Sequence, residues 1–263
     1  MPPVRSHTEA LTAAAFGADV HRWPLPVPAT ATQAWLRAVA AAGQGRYGAA
    51  RADLATVRRT APPSSALLSL AHSTTGSLLR QLGWHTRARR WDGIALRLAG
   101  DHPEARADAL VGLAADALGV GRFGVSATLL DASRTLSDAP PRCSVRVAWV
   151  SAELAMARGD GGGAVGYARA GIDAAAAASL RHRTKSEVVL AAALYTAGDL
   201  DSARDVADAA LTAATRHGLV PLQWAVASLL AAMGSPTLTG EQLADTRDRA
   251  AALIAARGGD LRS

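Results

Sequence analysis

The chain has 263 residues, 49% hydrophobic but only 4% aromatic, a length that accommodates one or two globular domains. Its formal charge of +6 is compatible with an acidic partner but modest for this size, and Lys185 is the one lysine among 28 basic residues. Cys143 stands alone, which excludes an internal disulfide framework and a thiolate zinc site and fits a reducing compartment. No apolar run reaches the roughly 18 residues of a membrane span. The first residues lack the basic region, apolar core and cleavage site of a secretory leader, so a cytoplasmic location is expected.

Residues 1–29 read as an arm. HTEALTAAAFGADV at 7–20 suits a short helix, but HRWPLPVPAT cannot continue it, because Pro24, Pro26 and Pro28 remove amide donors and favour extended backbone. Trp23 can dock the arm onto the first repeat, and docking or disorder is favoured over the sharper reading of a partner-binding tail.

From 30 to 257 the helices come in pairs. The first pair covers about 30–59 and is closed by Pro62-Pro63, after which Ser64 or Ser65 can cap the next helix. The second runs to about 99 and stops at Gly100-Asp101-His102-Pro103, with Pro103 suited to a first helical turn. The third spans 104–137, and the fourth begins near Arg142, turns at Gly159–Gly163 and reaches about Ala178. The fifth runs from 182 to 216. The sixth holds Leu219–Met233 and a last helix over Glu241–Arg257, whose Asp245, Arg247, Asp248 and Arg249 suit a solvated terminal cap. Residues 258–263 are a tail.

Leu190–Leu211, LAAALYTAGDLDSARDVADAAL, contains the repeated unit: an apolar helical run, a stop at Gly198, and a second amphipathic helix. Glycine ends the first helix because it takes the left-handed backbone at little cost. Setting the turn glycines in register gives Gly45, Gly83, Gly121, Gly159, Gly198 and Gly234, spaced by 38, 38, 38, 39 and 36 residues. A fixed period of this length is the signature of a solenoid. Seven residues earlier stand Ala38, Gly76, Ala114, Ala152, Ala191 and Ala227, and five later Ala50, Ala88, Ser126, Ala164 and Ala203, with Thr239 breaking the run.

These columns resemble the tetratricopeptide repeat, which pairs a small residue in its first helix with a Gly-x-aromatic turn and a small residue in its second. GRYGAA at 45–50 and GDLDSA at 198–203 match well, GRFGVS at 121–126 less so, and GWHTRA, GDGGGA and GSPTLT diverge. The resemblance covers roughly 30–257. It implies an all-α fold, an α-solenoid wound as a right-handed superhelix of about six antiparallel helix pairs, with the first helices lining a concave groove. It also implies a protein-binding role. RHRTKSEV at 181–188 and HGLVPLQWA at 217–225 further resemble helical-repeat regions of actinobacterial regulators.

Motifs of chemistry are sparse. GQGRYG at 43–48 and GVGRFG at 119–124 match a dinucleotide fingerprint, but that motif needs a preceding strand, and both follow helical runs at the turn phase. GDGGG at 159–163 sits at the same phase and lacks the Lys-Ser/Thr of a phosphate loop. The seven histidines are far apart, and no G-x-S-x-G elbow is present. Cys143 beside Arg142 and Arg146 reads as an ordinary small residue near a helix start, although the two arginines would lower its pKa. Two basic clusters stand out: RARRW at 87–91 with Arg80 and Arg97, and RHRTK at 181–185. Guanidinium clusters grip phosphate or carboxylate, but an arginine-rich solvated face has the same composition.

The residue ten before each turn glycine gives a candidate groove column: Trp35, Ser73, Val111, Trp149, Val188 and Trp224. Ser77, Arg80, Arg146, Glu153, Met156, Lys185 and Tyr195 share that stripe at helical spacing. Aromatic anchors with interspersed charge suit a partner surface, although a one-residue phase difference would pack the tryptophans between repeats instead. The expectation is a non-enzymatic scaffold or adaptor binding a protein or peptide segment of acidic character in the groove. It needs no catalytic residue, cofactor, metal or membrane. The alternative is a regulatory ligand-sensing or nucleic-acid-binding protein that uses the arginine clusters.

Overall fold

The computed structural model describes residues 6–136, 138–176 and 179–262. Among them are thirteen α-helices and no strand. Helix α1 (His7–Phe16) precedes six consecutive pairs: α2 (Ala31–Gly43) with α3 (Tyr47–Thr60), α4 (Ala66–Gln81) with α5 (His85–Ala99), and α6 (Pro103–Gly119) with α7 (Phe123–Arg134). Then come α8 (Pro141–Ala157) with α9 (Gly161–Ala175), α10 (Leu180–Ala197) with α11 (Leu200–Arg216), and α12 (Val220–Met233) with α13 (Gly240–Ala256). Each helix packs on its chain neighbours, and each pair's first helix also packs on the next pair's first helix. The fold is an all-α solenoid.

Local chemistry sets the helix ends. All six turn glycines have positive φ, from 71° at Gly45 to 87° at Gly198, where a side chain would be strained. Free amides are taken up by the side chains of Thr30, Ser65, Ser179, Asp160 and Asp199, while Ser6 and Thr239 form full capping boxes with Glu9 and Gln242. Pro103 and Pro141 begin α6 and α8, where a missing N–H costs nothing. Helix α1 stops at Phe16, short of the expected 20, because Gly17 departs from helical geometry. The ends expected at 137 and Ala178 lie outside the described residues; α7 is seen to stop at Arg134 and α9 at Ala175.

The small-residue columns are where helices of a pair approach. Ala38, Ala114, Ala152, Ala191 and Ala227 on the first helices and Ala50, Ala88, Ser126, Ala164 and Ala203 on the second are completely buried. Exposed Thr239 does not join them. Ala191→Leu forces three extra heavy atoms into one such crossing and is expected to cost about 1–3 kcal/mol. A lowered thermal midpoint checks this, with exposed Ala231→Leu as the neutral control.

The array does not run open from one end to the other. The last pair returns to the first. Gly48 donates its N–H to the Arg257 carbonyl at 2.8 Å, and the Arg257 guanidinium donates to the Gln44 carbonyl at 2.7 Å. Arg51 donates to the Gly258 carbonyl. The tail goes further: Arg262 N–H reaches the Leu82 carbonyl at 2.9 Å, and Trp84 Nε1 donates to the Asp260 carbonyl at 2.7 Å. Ala250 and Ile254 of α13 and Val220 of α12 share one apolar cluster with Tyr47, Leu54 and Val57 of α3. So Arg247, Asp248 and Arg249 are solvated as a cap requires, but the helix that carries them ends against the opposite end of the array.

Candidate functional site

Closure turns the first helices toward a narrow interior, and the arm lies in it. Helix α1 buries Leu11, Ala14 and Ala15 against Ala34, Trp35 and their neighbours on α2. Its Phe16 tilts onto Trp35 with ring centroids 5.6 Å apart, and the Arg142 guanidinium of α8 stands 5.4 Å over the Phe16 ring. Arg181 of α10 donates to the Ala15 carbonyl at 3.4 Å and to the Val39 carbonyl on α2 at 3.2 Å. A segment touching α2, α8 and α10 sits inside the turn of the solenoid. Beyond it, Val20 packs with Ala214 and Leu219, and Gln44 donates to the Val20 and Arg22 carbonyls, at 2.9 and 3.0 Å. Trp23 packs under the Arg46 guanidinium. The arm is docked, through α1 above all.

Arg181 reaches the Ala15 carbonyl in the last turn of α1, at the negative end of a helix dipole. A Cβ on Gly43 would come within 2.8 Å of its Cδ, so that glycine makes its berth. Burial, aided by Arg142 and Arg146, lowers its pKa to about 10. Those two arginines do have carboxylates. Arg142 donates to Asp108 at 2.6 and 3.0 Å and to Glu104 at 2.7 and 3.0 Å; Arg146 donates to Asp108. Burial alone would raise the pKa of Asp108, but the two guanidiniums outweigh it and hold it down to about 2. The Cys143 thiol faces this carboxylate. Burial and Asp108 push its pKa up to about 12, outweighing the lowering that Arg142 and Arg146 do exert as expected, and leave a protonated, unreactive thiol.

A second charged group lies further along the interior. Arg80 of α4 donates to Asp92 of α5 and, at 3.1 Å, to Asp116 of α6. Both aspartates are fully buried. Gly76 and Gly112 leave the space in which Asp92 sits, since a Cβ on either would collide with its carboxyl group. Oxygens Asp92 Oδ1 and Asp116 Oδ2 have no other partner, and the two carboxyl groups interact with each other. Burial and Asp92 together, against the pull of Arg80, raise Asp116 to about 7. One cation cannot neutralise two buried carboxylates, so the pair retains a proton. His85 lies beside Gly119, with burial and Arg80 holding its pKa low.

The candidate groove residues divide between three environments. Trp35, only 8% exposed, donates to Thr74 at 3.0 Å on the next first helix, and Ser73 is buried beside it. Trp149 donates to Ser186 at 2.8 Å and stacks on His182, again on the next pair, while Trp224 packs against the cluster of the first pair. The column ten before each glycine therefore packs between repeats. Arg80 and Arg146 face inward but are consumed by ion pairs. Glu153 and Lys185 form a 3.3 Å pair with about a third of each side chain exposed, and Tyr195 is 39% exposed; Ser77 is half-buried on α4. These are the ones open to a partner.

The basic clusters are likewise split. Arg80 is internal, whereas Arg87, Arg89, Arg90 and Arg97 are exposed. Arg181 and Lys185 point inward and Arg183 outward. The interior acids Asp92, Asp108 and Asp116 and their partner Arg142 were not among the candidates. Their signal was available: Ala88, Asp92, Ala95 and Ala99 form one buried stripe, and an aspartate within a stripe of alanines marks a buried partner for an arginine. No known protein family matches the chain, and no curated protein does.

Proposed function

We propose that this chain is a non-enzymatic, tetratricopeptide-like scaffold that takes up a helical peptide segment on its inner face. The observation that carries the reading is α1 itself. It is a short helix from outside the repeats, seated on α2 by Leu11, Ala14 and Ala15, covered at Phe16 by Arg142 of α8 and held at its Ala15 carbonyl by Arg181 of α10. Apolar anchors with a cationic grip at one end suit a partner helix that ends in carbonyls or an acidic group. Lys185, Glu153 and Tyr195 border the same interior and remain available to the rest of such a segment.

On this reading the arm is an occupant held at high effective concentration by its tether. The test uses the full chain. Leu11→Asp places a charge in an apolar berth and is expected to release α1 without melting the repeats, as circular dichroism would report. A labelled peptide of residues 6–22 should then bind the variant saturably and the wild type far more weakly. Adding Arg181→Ala should weaken the peptide again. A folded Leu11→Asp chain that ignores the peptide would remove the reading.

A further inference from the structure

The arginines left over by the interior are unevenly placed. Residues 46–100 hold nine arginines and two aspartates, a charge of +7 against +6 for the whole chain, which leaves all other residues together at −1. Both aspartates of that stretch are buried and ion-paired, Asp53 with Arg37 and Asp92 with Arg80. The outer side of the first two pairs thus carries guanidinium groups and no exposed carboxylate of its own. The nearest in sequence and contact, Asp101 and Asp260, stand at the two ends of α5. An arginine-rich composition alone does not produce this, because elsewhere arginines and acids are in balance.

The groups share one face. Arg90 and Arg97 lie two turns apart on α5, about 10 Å along the axis, directly opposite the buried stripe of Ala88, Asp92, Ala95 and Ala99. Arg58 of α3 bridges to α5 by standing 5.1 Å over the Trp91 ring, with Arg59 beside it. His72 lies under Trp91, and burial, then Arg58 and Arg97, lower its pKa, so both guanidiniums are within electrostatic reach of that imidazole. At the other end of α5, Arg87 and Arg262 both stack on Trp84. Arg58 and Arg97 each give one N–H to the chain itself, to Thr75 Oγ1 at 3.3 Å and the Gly93 carbonyl at 3.1 Å, and a guanidinium held in this way keeps further N–H donors with which to meet a phosphate.

We propose that the outer face of α3 and α5 binds the phosphodiester backbone of a nucleic acid, reading its charge and not its sequence. The tryptophan faces are already covered by arginine, so none is free to stack on a base. An anionic membrane would want apolar side chains to insert, and an acidic peptide an apolar anchor. Among the described residues every exposed large hydrophobic lies outside 46–100. A dense polyanion needs neither. This face is separate from the interior that holds α1, so each reading can fail without the other.

The test is binding of a short labelled oligonucleotide, as duplex DNA and as single-stranded RNA, to the full chain across a salt series. Affinity should fall by orders of magnitude between roughly 50 and 200 mM salt. Replacing Arg87, Arg90 and Arg97 by glutamine should reduce the slope of log affinity against log salt by about 1 per arginine. These side chains are exposed, so the fold should hold, and circular dichroism checks it. A control triple, Arg169, Arg183 and Arg216 to glutamine, removes the same charge from other exposed sites and should leave the slope unchanged. Which of the two oligonucleotides binds more tightly identifies the source of the backbone. Equal losses from both triples would overturn the proposal, as would preference for polyglutamate or anionic vesicles over either oligonucleotide.

Discussion

Replacing Asp108 with alanine is expected to destabilise the fold by about 3–5 kcal/mol, the cost of leaving buried charge uncompensated. Asp108 accepts from both Arg142 and Arg146, and Arg181 lies near enough to feel the same two guanidiniums. Without it Glu104 alone faces three cations in the interior. The expected sign with pH is definite. Asp108 titrates near 2 in the folded chain against 3.8 ordinarily, so its contribution is present above about pH 4 and lost as pH falls toward 2. Urea denaturation at neutral pH measures the loss, and Asp108→Asn should recover part of it by still accepting one hydrogen bond from each arginine. If Asp108→Ala melts like the wild type, the interior is wetter and looser than its geometry.

Arg80 should be at least as costly to lose, and its loss too should shrink as pH falls, though over a higher range. Arg80→Met leaves Asp92 and Asp116 buried with no adjacent cation, and about 3–5 kcal/mol is expected at pH 8. At about pH 5 the loss should shrink, because both carboxyl groups can then hold protons. The wild type itself carries a related signature. Asp116 titrates near 7 when folded and near 3.8 ordinarily, so the folded chain keeps a proton that the unfolded chain has released. Stability from this group is therefore greatest at low pH and declines as pH rises through about 7. The charged neighbours on every side are Arg80, Asp92 and, more distantly, Arg146, with the nearby His85 held below its ordinary pKa by burial and Arg80. Asp116→Asn keeps the shape and a donor toward Asp92 and should flatten the decline. Denaturation midpoints compared at pH 5 and 8 for wild type, Arg80→Met and Asp116→Asn decide it; a slope surviving in Asp116→Asn would place the shared proton elsewhere.

The pairs, their turns and their close crossings were legible from sequence because each depends on residues within one repeat. A glycine at positive φ and an alanine at a crossing are local requirements, and six copies at one period make them visible. The inner face was less legible. Whether Trp149 lines the groove or lies on Ser186 and His182 turns on a rotation smaller than the 100° between successive residues of a helix. The distinction between Arg80 and Arg87 is likewise one of helix face, and could have been drawn from the alanine stripe around Asp92. Least legible was the meeting of Gly48 with Arg257. It results from small rotations accumulated over five interfaces, and no short stretch of sequence encodes their sum.

That meeting changes how the protein comes apart. In a linear array each end unit has one neighbour, so melting starts there and moves inward. Here the units that would fray first, α2–α3 and α12–α13, clasp one another through Arg51 and Arg257, and the tail carries the clasp on to the second pair through Trp84 and Arg262. A chain without loose ends has no cheap place to begin, so partial openings approach the cost of losing the whole structure. The clasp also joins positions more than 200 residues apart, a loop that must be closed against the entropy of everything between. Five pairs can stack as they emerge, each on the last; the sixth completes the structure only when it finds the first.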